Sequence, residues 1–413
     1  MPETNAHSAL CALHQASLLG VMLLVAATGC DSIKHRQLLS ETQVHPEIFL
    51  VDVPVTVRKG LLVVEGRAGD SDRPVELMVD TGAFESKLTA STAVSLGVEP
   101  LLERSNSDTF GRSRSMPVGQ LDQLRFNGLA IQQLSVGLLD WPETAITPCL
   151  AADGLLGANA LREMSWSVDF QAPSLKLSSD AERLDIPANA KQIDVTMPAL
   201  SATPRITATV DGRQVGKLLL DLGSNGGLVL PRKLLDKLDI PAEQQIVVDD
   251  AASSGIYGSA RQRVIRAPVE LSIASLPPIE VMAEFTDDSG AKLGTEVLSH
   301  FKLWLDYQNR RLSLLPASRE LPDRLLPHGI LLGVDWKNDR WKVSYLEYPA
   351  KAQPPAQLAI GDQFDTVNGL RPGEVFTGWC AYVEGIRGWL DEQETLELVN
   401  QVTGERRQVN AGQ

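Results

Sequence analysis

Two aspartates sit in near-identical settings, Asp80-Thr81-Gly82-Ala83 and Asp221-Leu222-Gly223-Ser224. They stand 141 positions apart (80 to 221), and each follows an apolar run, 75–79 in the first case and 215–220 in the second. Each run reads as a strand that delivers a carboxylate into a tight glycine turn. Two such carboxylates facing each other could share one proton, because like charges that close cannot both ionise. One would then hold the proton while the other acts as base.

The surroundings of the two aspartates repeat as well. Downstream of Asp80 come Gly154-Leu155-Leu156-Gly157, then Leu161, then Trp166-Ser167-Val168-Asp169. Downstream of Asp221 come Leu293-Gly294, then Leu298, then Trp304-Leu305-Asp306. Gly157 to Gly294, Leu161 to Leu298 and Asp169 to Asp306 all share an offset of 137. A period this long means duplicated domains, not a solenoid.

With both turns and the blocks behind them, the chain resembles the retropepsin-like and pepsin-like aspartic proteases over roughly residues 50–316. The resemblance implies a mainly β protein with two duplicated acid-protease β-barrel lobes, at 47–186 and 187–318. It implies that Asp80 and Asp221 form a catalytic dyad holding the water that attacks a scissile carbonyl, with Thr81, Gly82, Ala83, Gly223 and Ser224 in support. The activity implied is that of an aspartic endopeptidase with polypeptide substrates and no metal or cofactor. The family flap corresponds to 105–128, with Phe110 at its Phe110-Gly111 turn. Its lobe-two equivalent is 254–259, with Tyr257, and both aromatics are candidates to cover substrate.

One position departs from the family pattern. In the family the hydroxyl after each catalytic Asp hydrogen-bonds the opposite lobe. Thr81 can do this, and Ser224 can still bond Asp221, but Leu222 has no donor. If the facing polar group is buried, its loss costs about 1–3 kcal/mol. The alternative to an enzyme is therefore a catalytically impaired pseudoprotease acting as a membrane-tethered peptide-binding protein.

At 413 residues the chain fits two or three domains. Net charge is −14 without a basic cluster, which argues against nucleic acid as partner. The six histidines include no H-E-x-x-H pair, which disfavours a metalloprotease. Of the four cysteines, Cys149 and Cys380 lie in the mature body, too far apart to suggest a disulfide framework, and read as buried or free thiols.

Both ends carry further signals. Residues 18–27 form a short apolar run with the length of a signal-peptide core, ending at Ala26-Ala27-Thr28-Gly29-Cys30-Asp31. This resembles a bacterial lipobox, implying a signal peptide at 1–30, lipidation of Cys30, a polar tether at 31–46, and membrane anchoring on the periplasmic face of the cell envelope. At the other end, Tyr348-Pro349-Ala350, Gly361-Asp362 and Asn368-Gly369 fall at spacings that resemble bacterial PDZ domains. That implies a small α+β PDZ-like domain over 321–413, which takes a peptide or protein ligand at a sheet edge beside Gly329, Ile330 and Leu331.

Overall fold

The computed structural model describes residues 31–410, apart from 71, 142–145, 200, 288–289, 318–327 and 353–357. The apolar run read as an export segment and Cys30 lie outside the described residues, as does the beginning of the third unit. Among the described residues no helix is long and apolar enough to cross a membrane.

The molecule is mainly β. Lobe one is built on a nine-stranded sheet that includes Leu61–Ala68, Arg73–Val79, Ser113–Phe126 and Leu129–Leu138. Lobe two is built on a ten-stranded sheet that includes Arg213–Leu220, Ile246–Gly255, Gly258–Ser272 and Ile279–Thr286. Alternating apolar residues turn one face of these strands inward, and the two lobes contribute to one continuous core.

A six-stranded sheet joins the lobes, with three strands from each: Leu50–Val53, Ser165–Asp169 and Ser174–Ser178 from one, and Lys191–Asp194, Phe301–Asp306 and Arg311–Pro316 from the other. Its central pairing is antiparallel, with Trp166 opposite Leu305, Ser167 opposite Trp304 and Val168 opposite Leu303. Ser167 and Trp304 are themselves 137 apart, and the flanking pairs exchange under the same offset. The duplicated segment thus pairs with its own copy, which puts the pseudo-twofold axis through the Ser167–Trp304 pair.

Two expectations change at the edges of this core. The stretch read as a tether is docked. Residues 31–40 are helical, with His35, Leu38 and Leu39 buried, and Gln43–His45 pairs with lobe-one residues Gln132 to Ala130. Polar composition concealed an i, i+3, i+4 stripe, the ordinary sign of a helix that buries one face. Nor are Cys149 and Cys380 free thiols: they form a disulfide.

That disulfide bears on the third unit. Its strand Arg340–Pro349 pairs with lobe two, from Ile246 opposite Pro349 to Asp249 opposite Leu346. Its helix Trp379–Asp391 buries Tyr382, Ile386 and Leu390, and carries the cysteine bonded to lobe one. The unit therefore continues the lobe-two sheet and is tied covalently to lobe one. Because the cross-link closes a long loop, Cys380→Ser is expected to lower unfolding free energy by about 2–5 kcal/mol. Denaturation with and without reductant checks this. Reduced wild type should match the variant, and no difference between oxidised and reduced protein would mean that sheet pairing holds the unit alone.

Candidate active site

Each aspartate leaves its strand at the same structural point. Val79 lies beside Leu156 in a parallel pairing, and the Asp80 N–H donates to the Leu156 carbonyl at 3.0 Å. Leu220 lies beside Leu293 in the same way, and the Asp221 N–H donates to the Leu293 carbonyl at 2.9 Å. The turns then bend back on their own carboxylates. Ala83 N–H donates to Asp80 Oδ1 at 2.8 Å, and Gly223 N–H donates to Asp221 Oδ1 at 3.2 Å.

The two turns face each other. A Cβ added at Gly82 would lie 2.6 Å from Asp221 Oδ1, and one added at Gly223 would lie 2.3 Å from the Asp80 carboxyl carbon. Each glycine is what lets the opposite carboxylate approach its backbone, so the pair sits together across the axis. Thr81, fully buried, joins the turns: its hydroxyl donates to the Leu220 carbonyl at 2.5 Å and accepts from the Leu222 N–H at 3.0 Å. Leu222 is buried in the common core and returns nothing of the kind. Ser224 meets Asp221 through its backbone N–H, which donates to the Asp221 main-chain carbonyl at 3.2 Å, in place of the side-chain bond expected.

Charge is unequal across the pair. Burial, and then the neighbouring Asp221 charge, push the Asp80 carboxyl up to about 6, with buried Lys87 opposing. Lys87 is turned toward the Glu85 carbonyl, to which its ammonium donates at 2.9 Å, and burial holds its own value low. Burial alone would raise Glu85, but His35 at 2.8 Å, Arg104 at 3.4 Å and the Ser135 hydroxyl at 2.7 Å hold it low. On the other side of the dyad, Lys292 Nζ lies 3.3 Å from Asp221 Oδ2.

The two hairpins meet over the site. Leu102–Ser107 and Ser113–Phe126 form the first, and Ile246–Gly255 and Gly258–Ser272 form the second. Arg112, held by Asp108, donates to the carbonyls of Gly258 at 2.6 Å and Ser259 at 3.3 Å. Tyr257 OH accepts from Asn106 Nδ2 at 2.9 Å and donates to the Asn106 carbonyl at 3.1 Å. Tyr257 is buried in this clasp, whereas Phe110 packs against Gly255 and lines a cavity of about 580 Å³.

That cavity runs from Ser224 beside the dyad, past Lys292 and Glu296, to Tyr345 and Arg387 of the third unit. Gly329, Ile330 and Leu331 lie elsewhere, at the start of the strand Ile330–Asp335 that ends the lobe-two sheet. The side chain of Ile330 is fully buried, and the Leu332 carbonyl beside it already accepts a hydrogen bond from Tyr382 OH at 2.8 Å.

Sequence reasoning missed Lys292, the Lys87–Glu85–His35 group and the third unit's share of the cavity. Lys292 did leave a signal. At the offset of 137 its counterpart is Leu155, so a cation stands where the first copy has an apolar strand residue.

Residues 64–160 match the family model described as "Aspartyl protease" and form an aspartic-protease-like domain. No curated protein matches the chain. Among solved structures, Basic 7S globulin from soybean is similar at 11% identity over 66% of this chain and 96% of that one, with a TM-score of 0.42.

Proposed function

We propose that this protein is an aspartic endopeptidase in which a water between Asp80 and Asp221 is activated to attack a peptide carbonyl. The observation that carries the reading is the pairing of two carboxylates through mutually apposed glycine turns, locked by the buried hydroxyl of Thr81. Two carboxyls in one partly buried site share a proton, and such a pair can act as acid and base in one step. The clasped hairpins would keep bulk water out while a peptide lies beneath them.

Asp80, pushed up to about 6, predicts the pH dependence. Below that value the pair retains the proton it must share. Above it Asp80 is ionised and the acid is lost. Cleavage of a quenched-peptide library should therefore peak at acidic pH, fade as pH rises through about 6, and be blocked by a transition-state-mimicking peptide inhibitor. No cleavage between pH 3 and 7, or a rate that only climbs above neutrality, would overturn the reading.

A second reading is supported by Leu222 and by the Lys292 ammonium beside Asp221: a pseudoprotease that binds peptides without cutting them. In either case the third unit is proposed as a PDZ-like module for substrate or partner peptides. The apolar run ending at Cys30 supports a lipid-anchored position on the exported, periplasmic side of the membrane. The Cys149–Cys380 disulfide fits an oxidising compartment.

A further inference from the structure

Lys292 lies on the short strand Lys292–Leu293, the lobe-two copy of Gly154–Leu156. In lobe one the corresponding Leu155 packs into a small apolar cluster with Leu61, Val63, Met78 and Leu150. Lobe two has an open, polar cavity at this level, and its lysine reaches the dyad. Both oxygens of the Asp221 carboxylate then accept hydrogen bonds, Oδ1 from Gly223 N–H and Oδ2 from Lys292. A carboxyl group whose two oxygens both face donors is suited to carry charge and poorly suited to carry a proton. Among the described residues no cation forms an ion pair with Asp80: the Lys87 ammonium donates to the Glu85 carbonyl and acts on Asp80 through its charge alone.

We propose that Lys292 is a positioning residue that gives the dyad a fixed direction: it keeps Asp221 as the carboxylate base and leaves the shared proton on Asp80. The inference rests on the peptidase reading above. In the forward step, Asp221 takes a proton from water as the water oxygen bonds to the peptide carbonyl carbon, and Asp80 gives its proton to the carbonyl oxygen. In the second step, the proton held by Asp221 goes to the leaving nitrogen as the C–N bond breaks. Asp80 recovers a proton from a hydroxyl of the tetrahedral intermediate, so the acid and the free amine leave with the dyad restored.

Other charges face this group. Glu284 and Arg266, paired at 3.0 Å, line the same cavity, as do Glu296 and Arg387. Asp80 faces Asp221 across the two glycine turns, and the Lys87 charge acts on Asp80. None of these is changed by replacing Lys292 with a side chain of similar length and no charge.

The test compares Lys292→Met and Lys292→Arg with wild type. Loss of the cation makes the pair harder to ionise, so the whole pH–rate profile of Lys292→Met should move upward by about one unit, while Lys292→Arg keeps the wild-type profile. A Lys292→Met profile that superimposes on wild type would overturn the proposal. So would a rise in activity of tenfold or more at an unmoved profile, which would make the lysine a plug. Carboxyl titration by ¹³C NMR of aspartate-labelled protein gives a readout without turnover. The pair's first ionisation should move up in Lys292→Met, and no movement would refute the assignment. A protein that cleaves nothing yet shows this movement would defeat the peptidase reading and leave the charge assignment standing.

Discussion

Asp80→Asn and Asp221→Asn should each reduce peptide cleavage by about 10³-fold or more, since each removes one half of a paired acid and base. Their effects on stability should differ with pH. Asp80 is shifted from 3.8 to about 6, so the folded state binds the proton more tightly than the unfolded chain does. That contribution is complete below about 4 and is lost as pH rises through about 6. At pH 8 the wild type carries a partly buried charge at Asp80 disfavoured by up to about 3 kcal/mol, a cost Asp80→Asn avoids. Thermal melts should therefore show the variant more stable than wild type at pH 8, with the difference small at pH 4. Full activity in either Asn variant would refute a shared mechanism, and an equal stability gain at both pH values would refute the charge argument.

Thr81→Val should damage both stability and activity despite being a conservative change. Valine matches the shape but has no hydroxyl, so the Leu220 carbonyl and the Leu222 N–H both lose the partner they have in the wild type. At about 1–3 kcal/mol for each orphaned buried group, the expected loss is about 3 kcal/mol. Activity should fall with it, because the two turns would no longer be held in register. In a symmetric pair of lobes a second hydroxyl would share the load, but Leu222 leaves Thr81 alone. Thr81→Ser should recover most of both properties. Chemical denaturation and turnover on the same preparations check this, and a loss below about 1 kcal/mol would mean the turns are held by something else.

What the sequence disclosed follows from what repeats or alternates. The two aspartate turns, 141 apart, were visible as matching strings, and the offset of 137 at Gly157 and Gly294 marked the strands that pair across the axis. The short helix Ala90–Ser95 that follows the first turn is capped by Thr89, a local signal of the kind a sequence displays. Hidden features depend on contacts between distant segments. Cys149 and Cys380 are separated by 231 residues, and no spacing rule joins cysteines so far apart. The fusion of the third unit to lobe two required Ile246–Asp249 to be an edge, which nothing in its own alternation reveals. Tyr257 looked like a cleft aromatic because it sits at a hairpin tip, yet its hydroxyl is consumed by Asn106. Lys292 was overlooked because a single lysine in a two-residue strand breaks no local pattern.

The clasp between the hairpin tips turns substrate capture into a waiting problem. Opening it gives up the two Arg112 hydrogen bonds to Gly258 and Ser259 and the two between Tyr257 and Asn106. At about 1 kcal/mol net apiece, roughly one molecule in a thousand stands open at any instant. If a peptide must enter beneath the clasp, encounters with the remainder are unproductive, and second-order capture should run far below the diffusion ceiling however well it fits. Departure waits on the same rare opening. A peptide once enclosed would therefore be detained long enough for a slow chemical step to finish.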